Sequence, residues 1–204
     1  MTKTLKLIQD QIGSHEIFDK VETRPIFLEG GIEVPFKKAV VKSSDGTPLA
    51  VVGNKYRLIQ TAEVMERFAL AIDESGLDTN GLAINVSMSP NAVRHITKFT
   101  FPEHSLETKK DDVTNLQICN RDSKDGTWLS QIDVGGFRVA CANGQVFGDF
   151  ISAHKARHTK GISFDAMAQG LGNSIEMFEA AGERWIEYKR QKINQEQGQD
   201  IILD

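Results

Sequence analysis

The chain has 204 residues, of which 40% are hydrophobic and 25% charged, and it carries a formal net charge of −4. A chain of this size can bury about 70% of the surface its unfolded form exposes, so it needs neither disulfides nor a metal to fold. The composition excludes a membrane-spanning helix, which takes roughly 20 consecutive apolar residues. It also excludes a protein whose whole surface coats nucleic acid, leaving a local basic face as the way to bind one.

The first twenty residues join a short amphipathic piece (Leu5, Ile8, Ile12) to Gly13-Ser14 and read as a loosely attached arm. Their apolar run is too short for a signal peptide, so a cytoplasmic protein is expected. From Thr23 the pattern turns to strands. Pro25 to Leu28 stops at Gly30-Gly31, and Ile32 to Lys42 resumes before the turn signal Ser43-Ser44-Asp45-Gly46-Thr47-Pro48. Leu49 to Val52 and Tyr56 to Ile59 flank Gly53-Asn54-Lys55 and read as a second hairpin. Thr61 can cap the following helix, in which Met65, Phe68, Ala69 and Ile72 fall at helical spacing, and Gly76 can end it.

A second set of strands follows. Leu82 to Met88 alternates, and His95, Thr97, Phe99 and Phe101 line one face of the next strand. Glu103 to Asp112 reads as a polar loop. Val113 to Asn120 and Thr127 to Val134 surround a turn containing Asp125-Gly126, and Gly135-Gly136 is expected to break the strand before Phe137. From Asp165 to about Lys192, Met167, Leu171, Ile175, Phe178 and Trp185 form one helical stripe. The expected architecture is α+β: a curved antiparallel sheet of hairpins packed against a middle helix and a long C-terminal helix. In domain terms, an arm (1–20) precedes one domain (21–193) and a polar tail (194–204).

The candidate chemistry lies in basic segments. His154-Lys155-Ala156-Arg157-His158-Thr159-Lys160 holds three fixed positive charges and no acid. Arg and Lys suit phosphate, with His158 and Thr159 orienting the backbone. The ordinary alternative is a solvated basic loop. On the strand from Arg94, the side chains of Arg94, Ile96, Lys98 and Thr100 point one way and the aromatics the other, where they serve as core. Lys37-Lys38 and Lys42 add charge, and Arg138 is a further candidate. Basic grooves beside aromatic platforms characterise single-strand sites.

Other chemistries are less well served. Cys141 with His154 or His158 is the arrangement a cysteine hydrolase would use, with Asn143 orienting. A thiolate is disfavoured in an apolar strand, so no enzyme is expected. Cys119 and Cys141 read as two small buried hydrophobes. His154 and His158 lack a carboxylate to complete a metal set, so no metal is expected. No phosphate-binding glycine motif occurs, and no cofactor or ATP use is expected. The tip Ile201-Ile202-Leu203-Asp204 could recruit a host protein or be an unstructured end.

Val52-Gly53-Asn54-Lys55-Tyr56-Arg57-Leu58-Ile59-Gln60 resembles the V-G-x-x-Y-x-x-x-Q opening of a domain-of-unknown-function family of phage- and plasmid-like proteins. Arg138-Val139-Ala140-Cys141-Ala142-Asn143 and Arg157-His158-Thr159 are similar to its later motifs, and the resemblance spans roughly Thr23 to Lys192. It implies a phage, prophage or plasmid origin and no settled activity. The order of elements is also similar to phage single-strand annealing proteins of the RecT, Red-beta and Erf type. That similarity implies homo-oligomers holding an extended strand of DNA in a basic groove. The resulting expectation is single-stranded DNA binding with annealing in phage recombination. The alternative is a phage accessory protein that binds a host defence or replication factor.

Overall fold

The computed structural model describes residues 1–109, 112–139, 146–156, 158, 176–184 and 187. Two antiparallel sheets, the second covered by helices, make an α+β fold. The first sheet has the order β1 (Val21–Phe27), β2 (Glu33–Lys42), β3 (Pro48–Gly53). The second runs β4 (Ala83–Met88), β5 (Arg94–Lys109), β6 (Asp112–Ser123), β7 (Ser130–Val139), β8 (Val146–Ala156). The single curved sheet expected from the sequence is therefore two sheets.

The separation arises at residues 54–60. Tyr56 to Ile59, expected as a strand, crosses between the sheets without pairing. Its polar groups are satisfied differently. The Gln60 side chain accepts from the Val21 amide (3.2 Å) and donates to the Val21 carbonyl (2.8 Å), standing in for a strand residue at the free edge of β1. The core divides accordingly. Val21, Val40 and Val52 form a small cluster within the first sheet, while the main core lies between the second sheet and the helices.

Helix α1 (Lys3–Ile12) starts where the Thr2 hydroxyl accepts from the Leu5 amide, and Thr4, Ile8 and Ile12 form its buried stripe. The Thr4 hydroxyl donates to Asp73 at 2.5 Å, fastening α1 to the end of α2 (Thr61–Ser75). The first residues are thus built into the core rather than forming a loose arm. In α2 the expected Met65, Phe68, Ala69 and Ile72 are all buried. The N-cap position is Gln60, whose side chain is committed to Val21, and not Thr61. Gly76 ends the helix with φ +73, a left-handed conformation open to glycine at little strain.

Two strands run further than the sequence suggests. Residues expected as a polar loop after Phe101 continue β5 to Lys109, because a register shift between Phe101 and Ser105 accommodates Pro102 and pairing then resumes. Gly135-Gly136 lies within β7, where a shift between Val134 and Gly135 absorbs it. On the inner face, His95, Thr97, Phe99 and Phe101 are buried as expected. The Phe99 ring meets Phe68 of α2 at 4.7 Å. The long C-terminal helix falls mostly outside the described residues. Within it, 176–184 are helical and contribute buried Phe178 and Ala181.

Candidate nucleic-acid interface and a buried polar clamp

Period-two alternation turns every second residue of the second sheet away from the helices. Register then assembles rows across strands that are distant in sequence. One row is Ser87, Ile96, Arg121, Gln131 and Lys155, and the next is Asn85, Lys98, Cys119 and Asp133. Arg94 heads the same face one step toward the β6–β7 turn. Asn85, Ser87, Arg94 and Lys155 are exposed, and Lys98, Gln131 and Arg121 half-exposed. Asp133 is the only acid of these rows. It is fully buried, with its carboxylate 3.0 Å from the Arg121 guanidinium and a second contact from Gln131. What the face shows to solvent is basic, amide and hydroxyl side chains, with half-exposed Ile96 and Cys119 among them.

Arg94 is held by Asp125 at 3.1 Å. Partial burial acts to raise the Asp125 carboxyl, but hydrogen bonds from Thr127, with help from Ser123 and Arg94, outweigh it and hold the group below its ordinary range. Cys119, expected to be buried, is half-exposed in the middle of the face. Burial, followed by the nearby Asp133, pushes its thiol up, which disfavours a thiolate.

Of the residues expected to contact DNA, Arg94, Lys98 and Lys155 come together on this face although β5 and β8 are far apart in sequence. Arg138 sits on β7 opposite Phe147, with its side chain outside the described residues, as is that of His154. Arg157, Thr159, Lys160 and Cys141 also lie outside the described residues. Arg121 and Gln131 were missed. Arg121 lay in what read as a turn, yet the alternation from Val113 continues through it.

His158 is not a surface phosphate contact. Its side chain is 4% exposed, and Nε2 lies 2.8 Å from Oδ1 of the equally buried Asp122. The ring stacks on Tyr56 with centroids 5.3 Å apart and planes 10° from parallel. The Tyr56 hydroxyl donates to the carbonyls of Ser123 and Lys124, and the Arg57 amide donates to the His158 carbonyl at 3.0 Å. Burial, with Asp122 and Asp125 nearby, pushes the Tyr56 phenol up, so it stays a donor. A Cβ on Gly126 would come within 2.9 Å of the Tyr56 ring, and φ there is +70, so this turn requires glycine twice over. These contacts clamp residue 158 and the 54–58 segment onto the end of β6.

Beside the clamp lie two more buried basic groups. Lys124 is 3% exposed with Nζ 3.4 Å from the Glu16 carbonyl, and burial lowers its pKa. His95, opposite Asp122 in the register, is 1% exposed, and neither ring nitrogen has a hydrogen-bond partner among the described residues. Burial lowers the His95 pKa, Asp122 opposes this, and Lys124 adds to it. The sign follows from linkage. The unfolded imidazole takes up a proton below about pH 6.5 while the folded one does not. Stability is therefore full above that pH and declines as pH falls toward the folded pKa. Thermal unfolding followed from pH 7.5 to 5 should show this decline, and His95→Phe should flatten it. An unchanged slope in that variant would assign the decline to other groups.

A family model described as Domain of unknown function (DUF932) matches residues 48–204, and the chain belongs to that family. The match begins at β3, so α1, β1 and β2 precede it. No curated protein and no solved structure matches the chain. Among the described residues no helix is long and apolar enough to cross a membrane, and no group of three or more His, Cys, Asp or Glu is placed to hold a metal ion.

Proposed function

We propose that this DUF932 protein binds single-stranded DNA across the solvent-facing side of its five-stranded sheet, without ATP. The reading rests on one observation: Arg94, Lys98, Arg121 and Lys155 share a face whose only acid in the paired rows is buried against Arg121. Cations on a sheet neutralise phosphates, while Asn85, Gln131 and the exposed hydroxyl of Ser87 give hydrogen bonds that do not depend on sequence. An open antiparallel face admits an extended strand more readily than a rigid duplex. Annealing of complementary strands would follow if two such faces present their strands to one another.

Anisotropy of a fluorescent oligonucleotide at two salt concentrations, with duplex as control, tests this. Lys98→Ala with Lys155→Ala should weaken binding to all sequences alike. It should also reduce the slope of log K against log salt by roughly 1.4, at about 0.7 per lost single-strand contact. Affinity and slope equal to wild type in the double variant would remove the interface.

A further inference from the structure

We infer, on the strength of the single-strand reading, that the β6–β7 turn is a nucleotide-binding corner: Trp128 stacks a base and Arg94 holds the adjoining phosphate. This supplies a contact that the sheet face itself lacks. Its solvent side carries cations, amides and hydroxyls, whereas Phe99 and Phe101 are fully buried on the inner side. Single-strand sites join cations to exposed aromatic rings, because every base has a face on which to stack.

Trp128 offers such a ring. It is 36% exposed, and among the described residues its indole meets no other ring. Turn tips are ordinarily small and polar, so a large aromatic left uncovered on one stands out. The turn that carries it is braced from within. The Ser123 hydroxyl accepts from the Trp128 amide at 3.1 Å, and Asp125 accepts from the Thr127 amide at 2.9 Å. The Lys124 amide donates to the Val93 carbonyl at 2.7 Å, and the Tyr56 ring lies against Gly126. A turn already ordered in this way loses little further freedom when a ligand binds.

Position selects the occupant. Arg94 is the register partner of Ser123, the residue to which Trp128 is tied. Asp125 of the same turn holds Arg94 through Nε at 3.1 Å, which leaves the terminal amines of the guanidinium for a phosphate. A fixed cation beside an uncovered aromatic ring matches one nucleotide unit. A protein partner is poorly served, since Trp128 and Leu129 are the only large exposed apolar side chains of the turn. Stable protein docking takes about 800 Å² from each side. From Arg94 the charge continues along the face through Arg121, Lys98 and Lys155.

Tryptophan fluorescence is the test, in a Trp185→Phe background where Trp128 is the one remaining indole of the two. Saturation with a thymidine oligonucleotide should quench the emission. A fully abasic strand of the same length should bind through its phosphates without quenching. Trp128→Ala should weaken thymidine-oligonucleotide binding by roughly 5- to 100-fold, the worth of one stacked base. Its affinity for the abasic strand and its circular dichroism should not change. Trp128→Phe should keep most of the affinity, since a phenyl ring still stacks. Lys98→Ala with Lys155→Ala, in contrast, should weaken both oligonucleotides. Anisotropy that reports binding with no quenching, and with Trp128→Ala equal to wild type, would overturn the inference and leave the sheet face standing. Failure of every oligonucleotide to bind would overturn both.

Discussion

Asp122→Ala is expected to destabilise the protein by about 1–3 kcal/mol, the range for leaving buried polar groups without their partner. Asp122 is the acid at the centre of the clamp. It lies 2.8 Å from His158, accepts from the Ser123 amide at 2.8 Å, and favours the charged form of His95 and, after Asp19, that of Lys124. Without it, His158 loses its close polar neighbour and Lys124 keeps only Asp19 and Glu16 as compensating acids. Urea denaturation monitored by tryptophan fluorescence gives the difference directly. Replacing Asp122 and His158 together by apolar residues of similar volume should cost less than Asp122→Ala alone, because no buried polar group is then left without its partner. A loss below about 1 kcal/mol for Asp122→Ala would show that solvent reaches the cluster and screens it.

Phe99→Ala should cost about 3–5 kcal/mol, through lost transfer energy and the cavity left behind. Phe99 is fully buried at the middle of β5, and its ring lies against Phe68 with the planes inclined at 52°. This contact joins the sheet to α2, so the variant weakens the fastening of layer to layer. A double-mutant cycle with Phe68→Ala should return a coupling of about 0.5–1.5 kcal/mol for the ring pair. A coupling near zero would mean that each ring packs independently against its aliphatic neighbours.

The alternation from Arg94 to Phe101 was readable because one face of β5 is wholly buried and the other meets water, which imposes period two on the side chains. The spacing of Met65, Phe68, Ala69 and Ile72 was readable for the same reason at helical period. The continuation of β5 past Phe101 was hidden by Pro102 and a register shift, which interrupt the pattern without ending the strand. The buried clamp was the least legible part. Asp122 and Lys124 stand in a charged run closed by Asp125-Gly126, and such runs are ordinarily solvated turns. The arrival of Tyr56, His158 and the Glu16 segment from distant parts of the chain makes them interior. The basic face was half legible. Arg94 and Lys98 declared themselves by alternation, whereas Lys155 joins them only through the register of four strands.

Each pairing in the two sheets joins strands that are consecutive along the chain, with no crossover. Such a sheet can assemble by adding one hairpin arm at a time, and each addition closes only a short loop, for which the entropic penalty is small. The long-range ties, Thr4 to Asp73 and Gln60 to Val21, cost more chain entropy to close and gain little until the strands and helices they connect already exist. This topology predicts that local strand pairing precedes closure of these long-range ties, with the crossing segment sealed last.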